Sequence, residues 1–550
     1  MSEPQAGSSS KALFLQLAVV VGVCAFFFFF GLGAFGLVGA DEPRYAQIGR
    51  EMLARHDWVT PVLNGKPWLE KPVLLYWNEM VAYSLFGVHD WVARIPSALF
   101  GSGVVLAIFF FMRRFRPGAE MDAALIAASL AGVIGFGRGA STDMQISGPF
   151  CVAMLAWWAW NETGRKLWLG WFYALLAVGT LAKGPVAPGL AVLIVAAYAG
   201  LRRERSVFLR TVWLPGFLIY FAITLPWFVA VQIRTPEFFR VFFIEHNLER
   251  FGTNLYQHSQ PFWYYIPVFL LSVMPWTVFA VSALMDAGAS CVRLFQAESD
   301  AEDERSPAQK EDGSDAWLAR YLLLWIAIPI IFFSISRSKL PGYILPAIPP
   351  VAVLTAAWLQ SAKEAIGRWR LLLHSLICGA LFGGVLLAPW KMSRVPAPTD
   401  MQVRAAIVMA VVALLVLVVV RRVGVRILRI ATLVPVVMVM WLLLRPVAHL
   451  IDQSTSARAV QAELQAVGAP AGMPMAVFEV KRDVEYGLNF YRNQPVTRYE
   501  RDGVPASGHL LAAREGSEDA IAALAAPRPV IKIGHLSQQH VELFLVSNTR

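Results

Sequence analysis

Long uncharged stretches alternate with short basic clusters along most of this 550-residue chain. The first stretch, near residues 12–37, contains five consecutive phenylalanines and no charged residue. A helix needs roughly 20 apolar residues to cross a bilayer core, so this stretch predicts a membrane-spanning helix. Twelve further stretches predict spans of the same kind: 96–112, 121–137, 146–160, 167–182, 186–200, 211–231, 262–284, 317–335, 342–360, 371–389, 402–420 and 427–447.

The basic clusters set the orientation of these spans, because short loops rich in lysine and arginine stay in the cytoplasm. One apolar segment, 73–86, is interrupted by Asn78 and Glu79. If it lies in the interface or re-enters the membrane without crossing, all the main clusters face inward: 113–116, 165–166, 202–205, 368–370 and 421–426. The chain then crosses about thirteen times, and residue 88 faces outward.

The composition changes after residue 450, where short strands and helices replace the long apolar runs. Residues 475–480, 529–533 and 541–546 predict strands, and 484–491 and 518–524 predict short helices. We therefore predict a membrane domain over 1–450 and a small outward α/β domain over 451–550. Neither a phosphate-binding P-loop nor a dinucleotide glycine fingerprint is present, so the sequence gives no indication of nucleotide chemistry.

Composition supports this picture and excludes some partners. The chain is 57% hydrophobic and 16% charged, whereas soluble proteins are about 25% charged. The net charge of +10 resides largely in the topological clusters and therefore does not indicate nucleic acid. The four cysteines lack metal-ligand spacing and three lie in apolar segments, which predicts neither a disulfide nor a cysteine metal site: Cys24, Cys151, Cys291 and Cys378.

Charged side chains concentrate in the outward loops, chiefly 38–95, 138–145, 232–261 and 336–341. Charged residues at the membrane edge are candidate functional residues, because they are costly to place there. Asp41 opens the first loop, and Asp-Glu-Pro before a helical pattern favours a helix N-terminus with Asp41 as its cap. A capping carboxylate can also line a cavity, so the two interpretations are compatible.

The remaining loops offer phosphate and metal ligands. Glu70 and Lys71 either form an ion pair at the membrane interface, or the Lys71 ammonium binds phosphate. Asp143, taken alone, is more typical of a charged residue at the end of a loop than of a catalytic residue. A carboxylate such as Glu70 with His246 or His258 suits a divalent metal, although no sequence spacing requires one.

The loop before the tenth predicted span carries Lys339 and Tyr343 around Pro341-Gly342. A proline followed by glycine marks a broken helix, at which backbone groups can face a cavity.

Several motifs in these loops resemble the bacterial aminoarabinose transferases and, more loosely, the protein O-mannosyltransferases. They run in order from about residue 35 to 350: Asp41-Glu-Pro-Arg-Tyr-Ala, Glu70-Lys-Pro, Lys183-Gly-Pro, Glu245-His-Asn-Leu-Glu-Arg-Phe251, Gln260-Pro-Phe-Trp-Tyr-Tyr-Ile-Pro267 and Ser338-Lys-Leu-Pro-Gly-Tyr-Ile-Leu-Pro346. Both families are C-type glycosyltransferases, polytopic enzymes that use a polyprenyl-phosphate sugar. The resemblance implies this fold, with the small C-terminal domain on the outward, periplasmic side.

The resemblance also implies roles for individual residues. Asp41 is expected to be the principal catalytic carboxylate, and Asp143 the second acid. It implies a divalent metal, zinc or magnesium, near Glu70 and either His246 or His258. The residues expected to face the donor phosphate are Arg44, Lys71, Arg250, Lys339 and Tyr343.

The activity that the resemblance implies is transfer of 4-amino-4-deoxy-L-arabinose from undecaprenyl phosphate to lipid A, with inversion. The expected enzyme is a monomer of the bacterial inner membrane whose site faces the periplasm, and it would confer polymyxin resistance. One alternative is a related transferase with another sugar or a protein hydroxyl as acceptor. Another is a lipid or sugar transporter, since broken helices also bind anionic headgroups. The one-sided polar clusters and the lack of a clear inverted repeat weigh against transport.

Overall fold

The computed structural model describes residues 10–249, 260–300, 313–361, 366–393, 397–424 and 427–548. The helices of its first half are α1 Ser10–Cys24, α2 Asp41–Ala54, α3 Leu74–Phe86, α4 Asp90–Phe115, α5 Glu120–Ser129, α6 Ala131–Gly137, α7 Thr142–Thr163, α8 Lys166–Lys183, α9 Val186–Leu201, α10 Arg205–Thr211 and α11 Leu214–Arg234. A π-helical segment, Arg240–Glu249, follows them.

The remaining helices of the membrane domain are α12 Tyr265–Ser272, α13 Thr277–Asp300, α14 Ser314–Ile335, α15 Pro349–Ser361, α16 Arg368–Ser393, α17 Thr399–Val423 and α18 Leu428–Leu444. Short 3-10 turns at Phe262–Tyr264 and Pro341–Ala347 precede α12 and α15. The C-terminal part contains α19 Ala448–Thr455, α20 Ala457–Ala466, α21 Arg482–Arg492, α22 Tyr499–Asp502 and α23 Glu518–Ala525.

The predicted spans coincide with helices, although their number is not settled by length and composition. Among the described residues, six helices are long and apolar enough to cross a membrane, or ten if each of four bent pairs counts as one span. The other three predicted spans, 146–160, 167–182 and 186–200, fall on α7, α8 and α9. A count of thirteen therefore stays a prediction.

The span predicted at 262–284 is sharply bent. The segments Phe262–Ser272 and Thr277–Arg293 meet at 120°, because Pro275 between them has no N–H with which to continue a helix. The break packs on a second one between α5 and α6. There the N–H of Ala131 donates to the carbonyl of Met274 (2.9 Å), and the indole of Trp276 donates to Ser129 (2.8 Å).

Helices α2 and α3 pack together, and α3 is only 13 residues long, in agreement with the interfacial or re-entrant helix predicted at 73–86. Gly49 of α2 is required at their contact, since a Cβ there would lie 2.6 Å from the Glu79 carboxyl. Burial, reinforced by the nearby carboxylate of Glu42, raises the pKa of Glu79 well above its ordinary value. Glu79 is fully buried at this contact, and its carboxyl forms no hydrogen bond with a residue that the structure describes.

The prediction that Asp41 caps α2 is wrong. The helix begins at Asp41 itself, preceded by Ala40, and no side-chain cap bond is formed there. The guanidinium of Arg44 instead takes the carboxylate at 2.5 Å, because residues three apart on a helix lie on the same face.

A buried ion pair fixes the start of α2. Arg94 of α4 is 2% exposed and donates to Glu42 at 2.7 and 3.2 Å. Its remaining N–H groups donate to the carbonyls of residues 32, 35 and 36. Glu42 also accepts the N–H groups of Val38 and Ala140, both at 2.8 Å. One guanidinium thus holds together the end of the first span, α2 and the loop before α7.

The C-terminal domain has a five-stranded sheet, and its presence confirms the predicted α/β appendage. Its strands, numbered after the hairpin β1 Val62–Leu63 and β2 Lys66–Pro67, are β3 Met475–Phe478, β4 Val496–Arg498, β5 His509–Arg514, β6 Val530–Leu536 and β7 Val541–Val546. Their order is β4-β3-β5-β7-β6, parallel from β4 to β5 and antiparallel beyond. Strand β3 is buried on both faces, which explains its unbroken apolar run. Helix α19 lies across the predicted boundary at 451.

This domain docks on the first outward loop. Arg50 of α2 donates to the carbonyl of Phe490 at 2.7 Å and lies over its ring. Asn489 donates to Asn64 of the β1–β2 turn at 2.7 Å. The hydroxyl of Tyr491 accepts the N–H of Leu37 at 2.8 Å. Helix α21 is therefore fixed directly above α2.

The orientation can be tested with single cysteines in a background without the four native ones. His89 and Arg114 lie near the two ends of α4 and both are exposed. His89→Cys should react with an impermeant thiol reagent in cells with a permeabilised outer membrane, whereas Arg114→Cys should react only after lysis. The reverse labelling pattern would overturn the predicted orientation.

The Arg94–Glu42 pair should dominate the stability of this region. Removing one partner of a buried pair costs about 3–5 kcal/mol, so Arg94→Leu should lower the free energy of unfolding in detergent by about that amount. Arg429→Leu breaks the half-exposed pair with Asp122 and should cost less than about 1 kcal/mol. Equal losses for the two variants would contradict the assigned role of Arg94.

Candidate active site

A cavity of about 820 Å³ lies where the outward loops meet the membrane helices. Its apolar walls come mainly from α9, α14 and the π-helical segment. Val192 and Leu193 on α9 are about half exposed, so apolar side chains of a predicted span lie at the outer edge of the cavity. The polar side chains of the lining come from four separate segments: Glu70, Lys71, Lys183, His246, Ser336, Ser338 and Tyr343.

Two lysines supply the positive charge of this cavity. Lys71 follows the β1–β2 hairpin and donates to the carbonyl of Glu70 at 3.1 Å. Lys183 is the last residue of α8 and is ion-paired with Asp143 in the first turn of α7. Its ammonium also lies 4.9 Å from the centre of the Tyr343 ring. Both lysines are half-buried, so solvent screens their charges only in part.

The backbone around Gly342 leaves room for the Asp143 carboxylate. A Cβ at Gly342 would lie 2.5–2.7 Å from the three carboxyl atoms of Asp143. Asp143 is also fixed from its own side, since its N–H donates to the Ser141 hydroxyl that begins α7. The Pro-Gly break predicted near 341 therefore brings the backbone against a charged pair.

Lys339 lies beside the cavity and is not part of its lining. It is buried, and its ammonium donates to the carbonyl of Ser336 in its own loop. The hydroxyl of Tyr265 donates to the carbonyl of Leu340 at 3.2 Å. In this structure Lys339 therefore shapes the loop that carries Tyr343.

Asp41 and Arg44 form a neighbouring cluster outside the lining. The Arg44 guanidinium is 8% exposed and lies between three rings, about 5 Å from the centres of Tyr45, Trp68 and Tyr486. The Asp41 side chain is 56% exposed and opens to solvent. Glu70 is close enough to interact electrostatically with Arg44 and also lines the cavity, so it connects the two groups.

The structure thus brings most of the predicted site residues together. Glu70, Lys71, His246 and Tyr343 share one cavity, and Asp143 reaches it through Lys183. Arg44 and Asp41 lie at its edge beyond Glu70. Arg250 and His258, which the sequence also suggested, fall outside the described residues.

Glu70 and His246 are the predicted metal ligands that the described residues place in this cavity. No third histidine, cysteine or carboxylate joins them among the residues that the structure describes. A catalytic zinc generally takes three protein ligands. The described side chains therefore do not complete the predicted metal site, and no chemical step is derived through it.

Two groups in the site had no role in the sequence-based prediction. Lys183 belongs to a Lys-Gly-Pro motif that carried the family resemblance, and a lysine closing an apolar helix was its available signal. Arg94 and Glu42 were not singled out, because nothing in the sequence shows that residues 52 positions apart will pair.

The solved structures show which class this fold belongs to. ArnT from Cupriavidus metallidurans, in a crystal structure bound to undecaprenyl phosphate, superposes with a TM-score of 0.74, covers 98% of each chain and is 23% identical. Residues 14–242 match the family described as dolichyl-phosphate-mannose-protein mannosyltransferase. The fold is that of a C-type glycosyltransferase, as predicted.

The sequence relatives narrow the resemblance to one branch. The undecaprenyl phosphate-alpha-4-amino-4-deoxy-L-arabinose arabinosyl transferase of Serratia proteamaculans is 32% identical over 355 residues, 62% of this chain and 59% of that protein. A protein of the same description from Pseudomonas fluorescens is 31% identical over 379 residues, 68% of this chain and 61% of that protein. The matched regions thus span about three fifths of these relatives. The predicted resemblance to aminoarabinose transferases is confirmed.

Proposed function

We propose that this protein transfers 4-amino-4-deoxy-L-arabinose from undecaprenyl phosphate to a phosphate of lipid A. The reaction takes place on the periplasmic side of the bacterial inner membrane. The observation that carries the proposal is a single cavity with apolar walls and two lysines at its polar end. A polyprenyl-phosphate sugar has this same combination of a long apolar chain and an anionic head. The names of the relatives supply the sugar and the carrier.

The polar end suits the leaving group of this reaction. The bond between the anomeric carbon and the donor phosphate oxygen breaks, and negative charge develops on undecaprenyl phosphate. Lys71 and Lys183 stabilise that charge without rearrangement, because the structure already holds both ammonium groups at the cavity. Asp143 orients Lys183 through their ion pair. Attack from the face opposite the leaving phosphate inverts the anomeric carbon.

Asp41 takes one of two roles, depending on the acceptor. A lipid A phosphate is already anionic, so no proton has to be removed. Asp41 then holds the amino group of the sugar or steadies the positive charge of the anomeric carbon, as carboxylates do in glycosidases. With a hydroxyl acceptor, Asp41 accepts the proton.

A second candidate is transfer to a protein hydroxyl. The family that residues 14–242 match is described as a protein mannosyltransferase, and the same cavity accommodates any polyprenyl-phosphate sugar. Mass spectrometry distinguishes the candidates: lipid A from cells with the protein should carry an added aminopentose that lipid A from cells without it lacks. That addition lowers the negative charge of lipid A, which is how the activity would confer polymyxin resistance. We further propose that the protein acts as a monomer.

Asp41→Asn should lower transfer by about 100-fold or more, the scale on which removing one electrostatic contact with charge that develops in the transition state slows a reaction. Folding should be largely unaffected, because the Asp41 side chain is 56% exposed and the asparagine amide oxygen can still accept from Arg44. Turnover and thermal midpoint in detergent are the measurements. Asp315→Asn, which removes the exposed partner of Arg116, is the matched control. Near-normal turnover of Asp41→Asn would reduce Asp41 to a partner of Arg44.

Lys71→Ala should slow transfer about 10- to 150-fold at saturating donor, because a charge-assisted hydrogen bond is worth about 1.5–3 kcal/mol and each 1.4 kcal/mol is tenfold in rate. The control is Lys66→Ala, an exposed lysine of the same hairpin that lies outside the cavity. Equal slowing by both variants would contradict a specific phosphate contact.

The same assay separates an enzyme from a transporter. A glycosyltransferase needs no second compartment, so the purified protein in detergent should form a glycosidic bond when both lipids are present. Lipid movement in sealed vesicles without product in detergent would decide for transport.

A further inference from the structure

A second cavity, of about 650 Å³, lies between the first outward loop and the C-terminal domain. The loop contributes Arg44, Trp68 and Glu70. The C-terminal domain contributes the other side chains from the start of α21, the end of β4 and α22: Val480, Lys481, Arg482, Glu485, Tyr486, Arg498 and Arg501. Because most of its lining comes from that domain, the cavity exists only when the domain is docked.

Five cationic side chains and two carboxylates line this cavity. Three of the five cations also pair with carboxylates outside the lining: Arg44 with Asp41, Arg498 with Glu500 and Arg501 with Asp502. One carboxylate, Glu485, is already engaged by Arg498 at 2.8 Å and Arg501 at 3.5 Å. Lys481 and Arg482 are exposed, and neither forms an ion pair with a carboxylate that the structure describes. The positive charge at the mouth of the cavity is therefore not neutralised from within.

Arg44 provides a donor in the interior. Its side chain is buried between aromatic rings, and its Nε–H has no hydrogen-bond partner among the described residues. A buried donor left unpaired is unfavourable unless a ligand or water accepts from it. The cavity thus combines two exposed cations at its mouth with an unsatisfied guanidinium N–H in its interior.

The two cavities share Glu70. A headgroup in the second cavity would therefore lie next to the polar end of the first, with Asp41 beside Arg44 at the junction. A transferase needs this arrangement, since its two substrates must meet at one bond while their lipid chains stay apart.

We propose that the second cavity binds the phosphorylated saccharide headgroup of the acceptor lipid, so that the C-terminal domain supplies half of the acceptor site. Guanidinium groups suit this ligand, since they bind phosphate oxygens through two parallel hydrogen bonds. This inference rests on the proposed function. Lys481 and Arg482 capture the anionic headgroup, and Arg44 directs it toward Glu70 and Asp41.

The test is steady-state kinetics of the full-length protein in detergent. The double variant Lys481→Ala/Arg482→Ala should raise the KM for lipid A by about tenfold or more, with kcat and the KM for the donor unchanged. Lys481→Arg/Arg482→Lys keeps both charges and should keep the acceptor KM within about threefold of the wild-type value, the context spread expected for one contact. Arg514→Ala is the control, because it removes an exposed cation of the same domain outside the cavity.

The outcomes are distinguishable. Transfer by the wild-type protein with an unchanged acceptor KM in the double variant overturns this inference and leaves the proposed function standing. No transfer by the wild-type protein overturns the proposed function itself. With monophosphoryl lipid A as acceptor, the effect of the double variant should be smaller than with the diphosphorylated form. The alternative is that the second cavity binds a phospholipid headgroup such as that of phosphatidylglycerol. In that case phosphatidylglycerol should inhibit the wild-type protein, and the double variant should lose this inhibition while its KM for lipid A stays unchanged. This result would overturn the inference.

Discussion

The buried guanidinium of Arg94 is the interaction on which the first loop of the membrane domain and the helices around it depend. Burying an ion costs several kcal/mol unless it is paired and fully hydrogen-bonded, and here Glu42 and three backbone carbonyls satisfy it. Glu42 in turn accepts the N–H of Ala140, three residues before Asp143. The two candidate carboxylates, Asp41 and Asp143, are therefore each only a few residues from a member of one rigid network.

A second constraint is that the polar end must stay charged inside a largely apolar cavity. An unpaired charge is costly to bury, and Asp143 pairs with Lys183 at this point. The same carboxylate needs the missing Cβ at Gly342. The Pro-Gly motif, which the sequence shows only as a helix break, thus leaves the space in which this charged pair forms.

What the sequence predicted well depended on local signals. Apolar length located nearly all the membrane helices, and the helical spacing after Asp41 predicted α2. The short apolar runs of the C-terminal domain predicted β3, β6 and β7. Strands β4 and β5 were not predicted, because their three and six residues lack the branched apolar pattern and are set by pairing with β3. Pro275 was passed over inside an apolar run, and its break follows from the missing N–H.

The sequence predicted which loops carry the residues of the candidate site. It did not by itself predict that these residues meet. Convergence of Glu70, Lys71, His246 and Tyr343 on one cavity is a tertiary property that motif order suggested only through the family resemblance. The role of the C-terminal domain had no such guide. Its basic residues 481, 482, 498 and 501 look in sequence like a solvated surface, since a charge run usually marks one. They line one cavity because α21 docks on α2 and the β1–β2 turn through Phe490 and Asn489. The positive cavity therefore depends on the docking contacts of the C-terminal domain. A substitution that weakened those contacts would also separate the basic side chains that line the cavity.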